Sequence, residues 1–146
     1  MKKILMFAMG VGLLVSGCAV VQTLPTQSGR PEVTIIGVDK KQIKDAIVNA
    51  CLSGGFTIKS TDDYTVICAK RNESFDAVLI YGTRAGGAPE GRVTFTLVDV
   101  PNDVRVFGWE TLVVNPNTAF ENVNDATNPN QAQEALENLK SQFNLA

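Results

Sequence analysis

The 146-residue chain has three cysteines and fifteen carboxylate side chains but no histidine, and this inventory limits its chemistry first. Without imidazole it lacks the commonest general base and the commonest transition-metal ligand, so Ser-His-Asp and Cys-His catalysis and histidine zinc sites are excluded. Asp99, Asp103 and Glu110 surround the last hairpin, and two carboxyls brought together there would suit acid and base work. Turn and strand carboxylates of this kind ordinarily face solvent, however, and glycosidic chemistry needs a cleft that the spacing does not define. Arg84 stands in a glycine-rich stretch, Gly82 to Gly91, where a planar guanidinium in an adaptable loop would suit an anionic partner. That stretch has neither a G-x-G-x-x-G fingerprint nor a Walker lysine, so its glycines are expected to supply turns. Tyr81, Phe107 and Trp109 offer aromatic anchors for a protein partner if they lie on an uncovered sheet face, and core packing if they do not. No catalytic residue, cofactor or metal is assigned.

The N-terminus carries the sharpest pattern. Met1-Lys2-Lys3 is followed by an apolar stretch from Ile4 to Val15, then Ser16, Gly17 and Cys18. The stretch is shorter than the ~20 apolar residues that a transmembrane helix needs. Val15-Ser16-Gly17-Cys18 resembles the lipobox of bacterial lipoproteins more closely than an A-x-A-like secretory site. The resemblance implies cleavage after Gly17 and lipid attachment at Cys18. It also implies sorting to the outer membrane, facing the periplasm, because Ala19 stands where an aspartate would retain the protein at the inner membrane. With Cys18 assigned to lipid, Cys51 and Cys68 remain as an even pair in an oxidising compartment. Either they form a disulfide or they are two buried thiols; without a CxxC spacing they make a poor redox or metal site.

Removal of residues 1–17, which include Lys2 and Lys3 and no acidic residue, takes the net charge from −2 to −4. An acidic chain of this size implies one domain with no basic stripe for displacing counterions, so nucleic acid is not an expected partner. Residues 18–32, with Pro25, Pro31, Ser28 and Gly29, have little periodicity and read as a flexible tether. The folded domain is expected to span 33–146.

Within it, Val33 to Val38 is a β-branched run of strand length. Asp39 can cap a helix with Gln42 completing a capping box, and Ile43, Ala46, Ile47 and Ala50 line one face before Gly54-Gly55. A hairpin follows, from Phe56 to Lys59 and back from Tyr64 to Lys70, then a strand from Phe75 to Tyr81. Arg92 to Val100 alternates Val93, Phe95 and Leu97 against Arg92, Thr94 and Thr96, as a sheet with one wetter face does. After the Pro101-Asn102-Asp103 turn, Val104 to Val114 places Phe107 and Trp109 on one side by period two. Asn115 to Asn128 reads as a loop. Asn128 then caps a second helix with Pro129 at its first position, and Ala132, Ala135, Leu136, Leu139 and Phe143 form its stripe.

This order predicts an α+β two-layer sandwich: an antiparallel sheet of four to six strands with two helices on one face. It resembles the TATA-box-binding-protein-like, or helix-grip, topology. Small periplasmic lipoproteins use similar domains, among them an accessory lipoprotein of the outer-membrane β-barrel assembly machine. Gly55 to Ser60 and Asp63 to Val66 carry the likeness to their helix-to-hairpin passage. The resemblance brings no catalytic or ligand motif with it, and the expected role is that of a non-catalytic accessory module, anchored to the membrane by its lipid, that binds an envelope protein. The alternatives are an exclusion lipoprotein of phage or plasmid type, and an enzyme acting on cell-wall or lipid material.

Overall fold

The computed structural model describes residues 24–73, 87–125 and 128–144. The chain runs through β1 (Glu32–Ile36), α1 (Lys40–Ser53), β2 (Thr57–Thr61), β3 (Thr65–Arg71), β4 (Glu90–Val100), β5 (Asp103–Val114), β6 (Asn122–Asp125) and α2 (Pro129–Asn144). All strand pairs are antiparallel, in the order β1-β5-β4-β3-β2, with β6 also paired to β5. Helix α1 packs over β2, β3 and β4, and α2 over β1 and β5. The fold is the expected α+β sandwich.

Cross-strand partners share a face, so the register sorts the side chains. Val33 and Ile35 of β1, Val104 and Val106 of β5, Leu97 of β4, and Val66 and Cys68 of β3 point to the helices. There they meet Ile43, Ile47 and Cys51 of α1 and Leu136 and Leu139 of α2 in one core. The alternation read in β4 is present, with Phe95 packed on that core and Thr94 and Thr96 on the other face.

Local chemistry fixes the boundaries. Gly37, at φ +66°, turns the chain and donates its N–H to Asn102 O, ending β1 two residues before Val38. The Asp39 carboxylate caps α1 by accepting the Lys41 N–H at 2.8 Å. The buried stripe of α1 is Ile43, Ile47 and Cys51, while Ala50 is exposed, because a four-residue step keeps a side chain over the sheet. Gly54 donates to Ala50 O, and Gly55 takes the left-handed conformation (φ +76°) that glycine adopts without strain. In the β2–β3 turn, Asp62 Oδ1 accepts the N–H groups of Tyr64 and Thr65. Along α2, Leu136 and Leu139 are buried and Phe143 is half-buried, but Ala135 faces solvent at the border of the stripe.

Three expectations need correction. Residues 24–32 are packed on the domain and are not a free tether: Leu24 is buried, Arg105 donates to the Gln27 side chain, and Glu32 already belongs to β1. Pro31 lacks a donor, but its carbonyl accepts the Gly108 N–H at 3.1 Å, so the proline fits where only an acceptor is required. Asn115 to Asn128 is not all loop, because it contains β6, whose residues other than Val123 have weak strand propensity and which is held by pairing with β5. Strand β4 begins at Glu90, before Arg92, because Glu90 already pairs with Arg71 of β3 and Val113 of β5, and its buried carboxylate is held by two cations. The expected signal segment, Cys18, the strand from Phe75 to Tyr81, and Arg84 lie outside the described residues.

Candidate partner-binding site

Gly108 decides which way β5 faces. It lies against the Leu136 side chain of α2, so its neighbours Phe107 and Trp109 point to the face opposite α1 and α2. That face is closed at one end, where Ala69, Glu90, Thr111 and Val113 are buried, and open at the other. At the open end Trp109 is 40% exposed and Val98 41% exposed. Trp109, the only tryptophan, sits opposite Thr94, and Phe107 opposite Thr96.

These side chains line a cavity of about 790 Å³ where the chain entering β1 and the chain leaving β6 diverge from β5. Phe107, Trp109, Val98, Pro31 and Pro129 form its apolar surface; Arg30, Glu110, Asp125 and Asn128 supply its polar groups. The volume lies within the range of small-molecule and peptide sites, roughly 300–1,000 Å³. Among the described residues, no carboxylate pairs with Arg30 and no cation pairs with Asp125. Asn128 caps α2 by accepting the Asn130 N–H. Sequence reading missed Arg30, which it placed in the tether, and Asp125, which it placed in the loop. Only the contact of Pro31 with Gly108 and the pairing of β6 bring them here.

The structure separates the other candidates. Cys51 and Cys68 are joined by a buried disulfide that ties α1 to β3, and neither lines the cavity beside Trp109. Asp99 is held at 2.6 Å by Lys40, whose ammonium also lies 4.5 Å from the Tyr64 ring centroid. The Asp99 hydrogen bond keeps Lys40 above its ordinary pKa of 10.5, the Asp99, Tyr64 and Asp63 charges act in the same direction, and partial burial opposes them. Glu110 pairs with Val93, six residues from Asp99 along β4, or about 20 Å at strand rise. Asp103 is at the far end of β5 from Glu110. The three carboxylates therefore do not converge on a cleft. Among the described residues no group of three or more acidic or cysteine ligands gathers, and no helix is long and apolar enough to cross a membrane. Tyr81, Arg84 and Cys18 fall outside the described residues.

Comparison with protein families and with curated proteins finds no match to this chain.

Proposed function

We propose that this chain is a lipid-anchored envelope lipoprotein whose domain is a non-catalytic binding module for a protein partner, an accessory to a larger assembly at the outer membrane. One observation carries the binding role: a lone tryptophan, half-open to solvent beside Phe107, lines a cavity on the sheet face opposite α1 and α2. Burying that indole in a partner removes a large apolar surface from water, which is why tryptophan dominates interface energetics. The Cys51–Cys68 disulfide supports export, because such bonds persist in oxidising compartments. Its pairing leaves Cys18, in the lipobox-like Val15-Ser16-Gly17-Cys18, as the one remaining cysteine.

The packed segment from Leu24 also bears on the anchor. Five residues lie between Cys18 and Leu24, and their six Cα steps span at most about 22 Å. A lipid on Cys18 holds the domain close to the bilayer and raises its concentration near membrane partners, so that a weak contact suffices.

A photoreactive phenylalanine analogue placed at Trp109 in cells should give one discrete protein adduct, absent when the same group replaces Leu52 on α1. Equal adducts at both positions, or none at position 109, would remove the binding role. Cys18→Ser should release the chain from membranes; retention of that variant would remove the anchor.

A further inference from the structure

We infer that the cavity beside Trp109 takes a short peptide segment of the partner with an apolar centre and opposite charges at its two ends. The inference rests on the binding role proposed above and gives it a ligand chemistry. Arg30 reaches the cavity from the β1 side, where Pro31 is bonded to Gly108, and Asp125 from the β6 side, where it pairs with Thr111. Between them Phe107 and Trp109 provide an apolar floor. Neither charge has a counter-charge among the described residues, so a ligand satisfies both without breaking an ion pair. The lining holds one cation, Arg30, and two acids, Asp125 and Glu110, the latter next to Asp125's partner Thr111 in β5, and this polarity selects a ligand with an acid toward Arg30 and a base toward Asp125. Uniformly acidic, uniformly basic or uncharged apolar ligands each leave at least one end unmatched. Rim charges of this kind set register and choice of partner, while the aromatic floor supplies most of the affinity.

The only tryptophan of the chain is in the cavity, so its fluorescence reports occupancy directly. The probes are four capped pentapeptides with the same Leu-Phe-Leu centre, ended Glu and Lys, Lys and Glu, Lys and Lys, or Glu and Glu, titrated into the full chain in detergent. One of the two mixed-charge peptides should bind about three- to fivefold more tightly than either like-charged peptide, the ratio that one exposed charge pair supplies. Arg30→Glu should move the preference to the Lys and Lys peptide, and Asp125→Lys to the Glu and Glu peptide. Both positions are exposed, and unchanged circular dichroism shows that the variants fold. A ranking indifferent to charge, a ranking unmoved by Arg30→Glu, or no saturable change with any peptide would overturn the inference. A protein adduct at position 109 alongside such a ranking would leave the binding role standing without this ligand chemistry. Charge-dependent peptide binding without a cellular adduct would support the inference and remove the envelope partner.

Discussion

A β-carbon built on Gly108 would stand 3.3 Å from Leu136 Cδ2 and 3.4 Å from its Cδ1 and Cγ, so α2 rests on the one β5 residue without a side chain. Gly108→Ala removes the flexibility of glycine in a strand, a gain of about 0.5–1 kcal/mol. It also overpacks the contact, a loss of about 1–3 kcal/mol. The balance should be a destabilisation of about 1 kcal/mol, seen as an earlier urea midpoint with an unchanged slope. In a Leu136→Val background, where the crowded branch is shortened, the same change should be neutral or stabilising, and the cycle should give a coupling of at least 0.5 kcal/mol. Equal effects in both backgrounds would mean that Leu136 does not press on position 108.

The Cys51–Cys68 disulfide spans 17 residues and joins α1 to β3 at the core. Closing a loop of that length stabilises a fold by about 3 kcal/mol, chiefly by restricting the unfolded chain. Cys51→Ala with Cys68→Ala should therefore lower unfolding free energy by about 2–4 kcal/mol. Dithiothreitol should shift the parent protein by a similar amount while leaving the double variant unmoved. Because Cys68 is fully buried and Cys51 nearly so, reduction should require unfolding and proceed slowly in the native protein. Rapid native-state reduction would contradict this burial.

Where one side of an element is apolar, the sequence is enough to orient it. Val93, Phe95 and Leu97 oppose Arg92, Thr94 and Thr96, and β4 lies as that alternation requires. Ile43 and Ile47, with Asp39 before them and Gly54-Gly55 after, place α1 for the same reason. Strand β5 has no such asymmetry: Val104, Val106 and Leu112 compete with Phe107, Trp109 and Val113, and the residue between the two aromatics is a glycine. Period two puts Phe107 and Trp109 together, but only the packing of Leu136 on Gly108 sends them to the open face. Arg30 and Asp125 are less legible still. A proline-flanked arginine and an aspartate in an asparagine-rich run have no periodicity, and both owe their place to long-range pairing with β5.

On the face opposite α1 and α2, Glu90 is buried between Lys59 Nζ at 3.2 Å and Arg92 Nη2 at 3.1 Å, and Arg92 also reaches Glu121 at 3.5 Å. Breaking a fully buried ion pair costs about 3–5 kcal/mol, since the remaining charge stays desolvated. Lys59 and Arg92 are both partly exposed, and water recovers some of that loss, so Glu90→Gln should destabilise by about 2 kcal/mol. Glu121→Gln, at a longer and wetter contact, should cost less than about 1 kcal/mol. Thermal unfolding of the two variants tests the order, and an equal or reversed ranking would place the weight of the cluster on Glu121.

Lys40 links the start of α1 to the end of β4 through Asp99, and the pH dependence of that link has a definite sign. The Asp99 hydrogen bond raises the folded-state pKa above 10.5, with help from the nearby negative charges and against partial burial. The folded protein therefore holds this proton more tightly than the unfolded chain. The resulting stabilisation is complete below about pH 10.5 and is lost as pH rises through the folded-state value. Lys41 follows the same rule through its hydrogen bond to Asp45, at a more exposed position. Urea unfolding of the parent and of Lys40→Met should show a constant stability difference between pH 7 and 9, narrowing at higher pH. Lys41→Met should show a smaller difference that narrows over the same interval, because its ion pair is solvated on both sides. A Lys40→Met difference that stays constant or widens through the alkaline range would show that the side chain contributes by packing its stem against Tyr64, and not through the ammonium.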